Sequence, residues 1–167
     1  MSSLRPRLYL AAPLFSEAER TYNFALCAEM ERSADVFLPE RDGLLYRDLI
    51  ASGVSAEKAR RMIFDVDVAA IQQCDVLLAV LDGRAIDEGV AFEMGVAYSL
   101  SKFCVGLRTD GRTLLPSGDN PMIVVACNVI CSSTTEAVAA ITAYARTRDS
   151  LGTAVGGANP RLDVNEL

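Results

Sequence analysis

Residues 75–81 read Asp-Val-Leu-Leu-Ala-Val-Leu and are followed by Asp82-Gly83. The run from Val76 to Leu81 is apolar without alternation, too short for a helix, and closed by charge on both sides. It reads as a strand buried on both faces, and such strands belong to parallel sheets covered by helices.

Working outward, the neighbouring segments fit that frame. Upstream, Ser55 caps a long helix running through Gln73; downstream, Glu88 to Ser101 is helical, and Lys102 to Leu107 (KFCVGL) is a further strand. Arg7 to Ala12 (RLYLAA) reads as a strand stopped by Pro13. Ser16-Glu17-Ala18-Glu19 then gives a capping-box pattern opening a helix to about Arg32. Asp35 to Leu38 forms a second strand, and Glu40 to Ser52 reads as a loop with a short helical piece. Asp110 to Gly118 is a turn-rich loop. A short helix at Asn120 to Ala126, a strand near Asn128 to Cys131 and a helix from Thr134 to Arg148 complete the order. Strands alternating with helices predict a single-domain, doubly wound α/β fold, with a five-stranded parallel sheet and helices on both faces. Ligands of such folds bind beyond the carboxyl ends of the strands. That points to Ala11–Phe15, Asp82–Glu88 and the residues after Leu107.

Composition narrows the chemistry. The 167 residues are 51% hydrophobic and 23% charged, enough to bury a core in one domain. A net charge of -6, without a basic stripe or tail, argues against nucleic acid as a partner. There is no histidine, which removes Ser-His-Asp and Cys-His catalysis and histidine-bearing zinc sites. Proton transfer falls to carboxylates, Tyr, Cys or Lys. The cysteines, Cys27, Cys74, Cys104, Cys127 and Cys131, form no CxxC pair and read as buried thiols of a reducing cytosol. Arg5 and Arg7 precede an apolar run to Phe15, but Pro13 breaks it and no small-residue cleavage site follows. No stretch is long enough to span a bilayer. The expected location is the cytoplasm. Neither GxGxxG nor GxxxxGK[ST] occurs. The first helix is a poor anion site besides, because Ser16 and Glu19 satisfy its free amides and Glu17 and Glu19 repel phosphate.

Candidate residues stand out against this background. In Gly89-Val-Ala-Phe-Glu93-Met-Gly-Val-Ala-Tyr-Ser-Leu100, Glu93 is a lone carboxylate among small and apolar neighbours. That placement is costly unless the group is hydrogen-bonded, paired or functional; otherwise Glu93 points outward through a gap. Gly89 and Gly95 weaken the helix by about 1 kcal/mol each, which suggests a close approach of another element or a substrate. Asp87 suits a helix N-cap or a ligand contact, and Asp82 lies in the same loop. Asp67 shares a stripe with Arg60, Phe64 and Ile71, so it is either a site acid or a rim charge paired with Arg60; Asp65 points elsewhere. Tyr9, near the exit of the first strand, is a core residue or a hydrogen-bond donor to a carboxylate at the strand ends.

Together these residues resemble the nucleoside 2-deoxyribosyltransferase family. The matching pieces are Leu8-Tyr9-Leu10-Ala11-Ala12-Pro13-Leu14-Phe15, Asp67 eight residues before Asp75, Asp87-Glu88-Gly89-Val-Ala-Phe-Glu93-Met-Gly95, and Asn120-Pro121-Met122. They occur in order over roughly residues 7–131, and the Asp-x-Gly-x-x-x-Glu-x-Gly piece is the most specific. The resemblance implies a catalytic domain over residues 1–150, followed by a Gly-rich tail at 151–167. It implies a two-step base exchange between a 2'-deoxynucleoside and a free nucleobase, with Glu93 as nucleophile, Asp67 as acid and base, and Tyr9 holding Glu93. Asp87 with Asn120 would bind the sugar 5'-hydroxyl, and Phe15 would line the base pocket. Asn120 and Met122 would come from a neighbouring subunit, so a homo-oligomer built on dimers, up to a hexamer, is implied. No metal or organic cofactor is expected. Some members of the family insert a C-terminal aromatic into the site, but no aromatic follows Tyr144 here. Pro39-Glu40-Arg41-Asp42-Gly43 sits where base-contacting residues lie, without indicating purine or pyrimidine. Rival readings are a hydrolase of 2'-deoxynucleoside 5'-monophosphates sharing the nucleophile, and a non-catalytic nucleoside-binding domain.

Overall fold

The chain runs β1 (Arg7–Ala11), α1 (Glu17–Met30), β2 (Asp35–Phe37), α2 (Pro39–Asp42), α3 (Tyr46–Ala51), α4 (Ala56–Gln73), β3 (Val76–Val80), α5 (Glu88–Ser99), β4 (Phe103–Leu107), α6 (Pro121–Ala126), β5 (Val129–Cys131) and α7 (Thr134–Gly152). The computed structural model describes residues 5–112 and 120–152. All strands pair in parallel, in the order β2-β1-β3-β4-β5. This is the α/β sheet that the apolar runs predict.

Every residue of β3 and β4 is buried, as unalternating apolar strands require. The period of two then sorts their side chains between two layers. Leu8, Leu10, Val76, Leu78, Val80, Val105 and Leu107 pack with Leu26, Cys27 and Met30 of α1 and with Ala137 and Ile141 of α7. Tyr9, Ala11, Leu77, Ala79 and Cys104 face the other way, onto Ile71 of α4 and Val90, Met94 and Ala97 of α5. At the amino ends of the strands, Asp75 accepts hydrogen bonds from the Arg7 amide (2.8 Å) and from Nη1 of Arg148 (2.9 Å). That carboxylate fastens β1, β3 and α7 together.

Three local expectations change. Residues 40–52, read as mainly loop, carry α2 and α3, neither of which has a buried residue. α7 extends to Gly152, past the expected end at Arg148. The turn-rich loop falls partly, and the C-terminal tail almost wholly, outside the described residues. Gly89 and Gly95 are not points of close approach within the chain. A Cβ on Gly95 would meet nothing within 4 Å, and one on Gly89 only the Asp87 side chain at 3.0 Å. On α5, Phe92 is 52% exposed with its ring tilted against Phe64 of α4 at 5.7 Å, and Tyr98 is 40% exposed. Among the described residues, no helix is long and apolar enough to cross a membrane.

Candidate active site

The strand order reverses at β1, whose chain neighbour β2 lies on one side and β3 on the other. Such a reversal opens a crevice at the carboxyl edge of an α/β sheet. α4 enters β3 and α5 leaves it, so both helices flank this crevice on the face to which Tyr9 points.

Tyr9 is fully buried and its ring stacks on Phe37, with centroids 5.6 Å apart and planes 16° apart. Its hydroxyl donates a hydrogen bond to Oε1 of Glu93 at 2.6 Å. Burial and the nearby Glu93 and Asp67 charges push the phenol far above its ordinary range, so it remains a donor at any working pH. Glu93 titrates at about 7, raised first by burial and further by Asp67 and Asp87, against the lowering effect of the Tyr9 hydrogen bond. Asp67, half-buried on α4, is pushed up to about 6 by burial. Two carboxyl groups titrating near neutrality beside one crevice can share a proton: one ionised, the other an acid. Tyr9→Phe removes a hydrogen bond that favours ionised Glu93. The Glu93 pKa should therefore rise, read by carboxyl chemical shifts. Any activity dependent on that carboxylate should fall by about 10- to 100-fold, the worth of a hydrogen bond to a charge.

The other candidates occupy the same edge in different ways. Oδ1 of Asp87 accepts from the Gly89 and Val90 amides (2.9 and 3.1 Å), so Asp87 is the N-cap of α5, and its charge also reaches Glu93. Asp87→Ala should cost about 1 kcal/mol of stability by thermal unfolding, the usual loss of a cap. Asp82 accepts from the Thr109 and Asp110 amides (2.6 and 2.8 Å) and from the Thr109 hydroxyl, tying the exits of β3 and β4 together. Phe15 stands 76% exposed beyond β1, its amide bonded to Glu19. Asn120 caps α6 through Met122 N–H (3.0 Å), and Met122 is 79% exposed. Neither residue takes part in the Tyr9–Glu93 hydrogen bond. Asp65 pairs with Arg61 at the surface, as its position on the helix predicts.

Two features of this edge carry little sequence signal. A Cβ at Gly43 would lie 2.6 Å from the Pro39 carbonyl oxygen and 3.4 Å from Oδ1 of Asp67, so the turn after α2 abuts that acid. Arg20 of α1 reaches Glu40 of α2, with Nε 3.4 Å from Oε1. In the sequence Arg20 looks like an ordinary surface charge. A cavity of about 450 Å³ lies elsewhere, lined by Arg7, Asp35, Phe37 and Gln73 towards the amino ends of β1 and β2. Neither Glu93 nor Asp67 lines it. Among the described residues, no group of three or more His, Cys, Asp or Glu could hold a metal ion.

The sequence matches the nucleoside 2-deoxyribosyltransferase family over residues 8–155. A conserved protein from Enterococcus faecalis V583 is similar in structure, with a TM-score of 0.70 at 27% identity over 83% of this chain and 98% of that one. A 2-deoxyribosyltransferase from Bacillus psychrosaccharolyticus gives 0.64 at 20% identity, over 81% and 95%. A CMP N-glycosidase from Clostridium botulinum gives 0.48 at 18% identity, over 81% and 97%. No curated protein matches.

Proposed function

Because the chain belongs to the nucleoside 2-deoxyribosyltransferase family, we propose that it moves the 2-deoxyribosyl group from one nucleobase to another through a covalent adduct on Glu93. The observation that carries this reading is the partly dry carboxylate of Glu93, aimed by a buried Tyr9 hydroxyl at 2.6 Å, with a second raised acid beside it.

In the first step a carboxylate oxygen of Glu93 bonds to the anomeric carbon. The glycosidic C–N bond breaks, its electron pair stays on the base nitrogen, and Asp67 supplies the proton. In the second step an incoming base nitrogen attacks the same carbon, the ester to Glu93 breaks, and Asp67 takes up the proton. Two displacements give net retention, as for other paired-carboxylate glycosyl transfers. The negative crevice also favours the oxocarbenium-like charge that develops between them. Asp87, with Asn120, binds the 5'-hydroxyl, and Phe15 lines the base pocket.

A nucleoside suits this edge better than a nucleotide. Glu19 accepts the amides of Phe15 (2.9 Å) and Ser16 (2.7 Å), and Ser16 Oγ accepts from the Glu19 amide. Those bonds hold the Glu19 carboxyl below its ordinary range and leave a negative charge where a phosphate would dock. The protein is read as a cytoplasmic homo-oligomer built on dimers. Its five free cysteines suit a reducing compartment. The exposed apolar side chains of Phe92 on α5 and of Met122 and Val125 on α6 suit a second copy that exchanges Asn120 and Met122 between sites.

Incubation with 2'-deoxyinosine and adenine, followed by chromatography, tests the reaction. The expected product is 2'-deoxyadenosine. Free hypoxanthine without it would replace transfer by hydrolysis, and preferred cleavage of a monophosphate would replace nucleoside by nucleotide.

A further inference from the structure

Glu40 is an enclosed acid that the two-step chemistry does not use. It follows β2 directly, on α2, and its side chain is only 13% exposed. Oε1 lies 3.4 Å from Nε of Arg20, while Oε2 is buried and has no hydrogen-bond partner among the described residues. A carboxylate oxygen left so is costly and is relieved by any N–H brought to it. Arg20 is looser. Its side chain is 42% exposed, and Nη1 reaches the Leu14 and Phe15 carbonyls at 3.5 and 3.4 Å, the long end of hydrogen bonding. The pair therefore bridges the Phe15 segment to the α2 turn that abuts Asp67.

We propose that Glu40, with Arg20, reads the far edge of the nucleobase and selects bases carrying an exocyclic amino group next to a ring nitrogen, as in 6-aminopurines and 4-aminopyrimidines. The proposal rests on the base-exchange reading for its ligand. Asp67 holds the base at its glycosidic nitrogen, so the opposite ring edge is the one left to be read. The Glu40 oxygen is out of solvent contact, so the looser Arg20 must swing aside to open it; an exocyclic amino group, which projects beyond the ring, then reaches it. The more exposed Arg20 can shift to donate to the adjacent ring nitrogen. A 6-oxo base presents the reverse order, with its projecting carbonyl against the Glu40 carboxylate, and is disfavoured by repulsion.

The test compares adenine, unsubstituted purine and hypoxanthine as ligands of wild type, Glu40→Ala and Glu40→Gln. Binding is measured by calorimetry and acceptor KM by exchange. Wild type should prefer adenine over both other bases by about tenfold or more, the worth of one hydrogen bond to a charged group. In Glu40→Ala that preference should collapse to within about twofold, whereas Glu40→Gln keeps part of it through its amide oxygen. An undiminished preference in Glu40→Ala, equal loss for all three bases, or no adenine preference in wild type would overturn the proposal. Glu40-dependent adenine binding in a protein that transfers no deoxyribosyl group would instead overturn the exchange reading and leave this one standing.

Discussion

Glu93→Gln is expected to reduce deoxyribosyl transfer by a factor of about 10⁴ or more, while stabilising the fold above neutral pH. The first effect follows from losing the only group assigned to bond the anomeric carbon, since an amide oxygen is a poor nucleophile and no other acid is held by Tyr9. The second follows from the raised pKa. Folded Glu93 titrates at about 7 against an ordinary 4.5, so between those values the folded state binds more protons than the unfolded one. Stability therefore falls as pH rises through that window and is lowest above it. At about 1.4 kcal/mol per unit, ionised Glu93 costs the fold roughly 3 kcal/mol at most. Glutamine keeps an oxygen for the Tyr9 hydroxyl without the charge. Thermal unfolding should show Glu93→Gln more stable than wild type at pH 8, with the gap closing as pH approaches 4.5. Equal stability at both pH values would mean that Glu93 is not a strained carboxylate.

Asp67→Asn should lower transfer by about 10²- to 10⁴-fold, the range for loss of a positioned general acid. It should also change the shape of the pH profile. In wild type the Glu93–Asp67 pair loses its protons near 6 and 7, and the reactive form holds one of them. The kcat/KM profile should be a bell peaking between those values. Because Glu93 holds its proton to the higher pH, the productive arrangement, with Glu93 ionised and Asp67 protonated, is the minor singly protonated form; it is lost to full protonation on the acid side and to full ionisation on the alkaline side. Asparagine cannot titrate, so the alkaline limb should disappear. The single remaining rise should follow Glu93 alone, with its midpoint below about 7 because the Asp67 charge is one of the causes holding Glu93 up. Donors whose leaving base needs no proton should be the least impaired. A profile unchanged in shape would remove Asp67 from proton transfer.

The parts of this architecture legible in the sequence are those with strong local physics. Val76–Val80 and Phe103–Leu107 lack alternation because both faces are buried, so the parallel sheet could be read from them directly. Ser16 and Ser55 mark their helix starts by capping chemistry that operates within three residues. α2 and α3 were hidden because neither buries a residue, and so neither has an apolar stripe to show. Asp82 looked like a ligand-loop acid because its partners, Thr109 and Asp110, lie 27 and 28 residues away. The helix cost of Gly89 and Gly95 suggested a close approach of another element or a substrate; among the described residues no other element approaches either glycine.

The site itself depends on contacts of long separation. Tyr9 and Glu93 are 84 residues apart and meet because β1 pairs with β3, which precedes α5. Periodicity places each on an apolar element but says nothing of their meeting; family resemblance supplied that link. The Arg20–Glu40 pair has no such signature, since each residue in isolation is an ordinary helical charge.

The central claim is that Glu93 carries the sugar. The most direct measurement is intact-protein mass spectrometry after rapid acid quench of the enzyme with 2'-deoxyadenosine, followed by peptide mapping. A deoxyribosyl adduct is expected, confined to the peptide containing Glu93, absent in Glu93→Gln and discharged when a free base is added. Turnover with no adduct at any quench time, or an adduct that persists in Glu93→Gln, would contradict it.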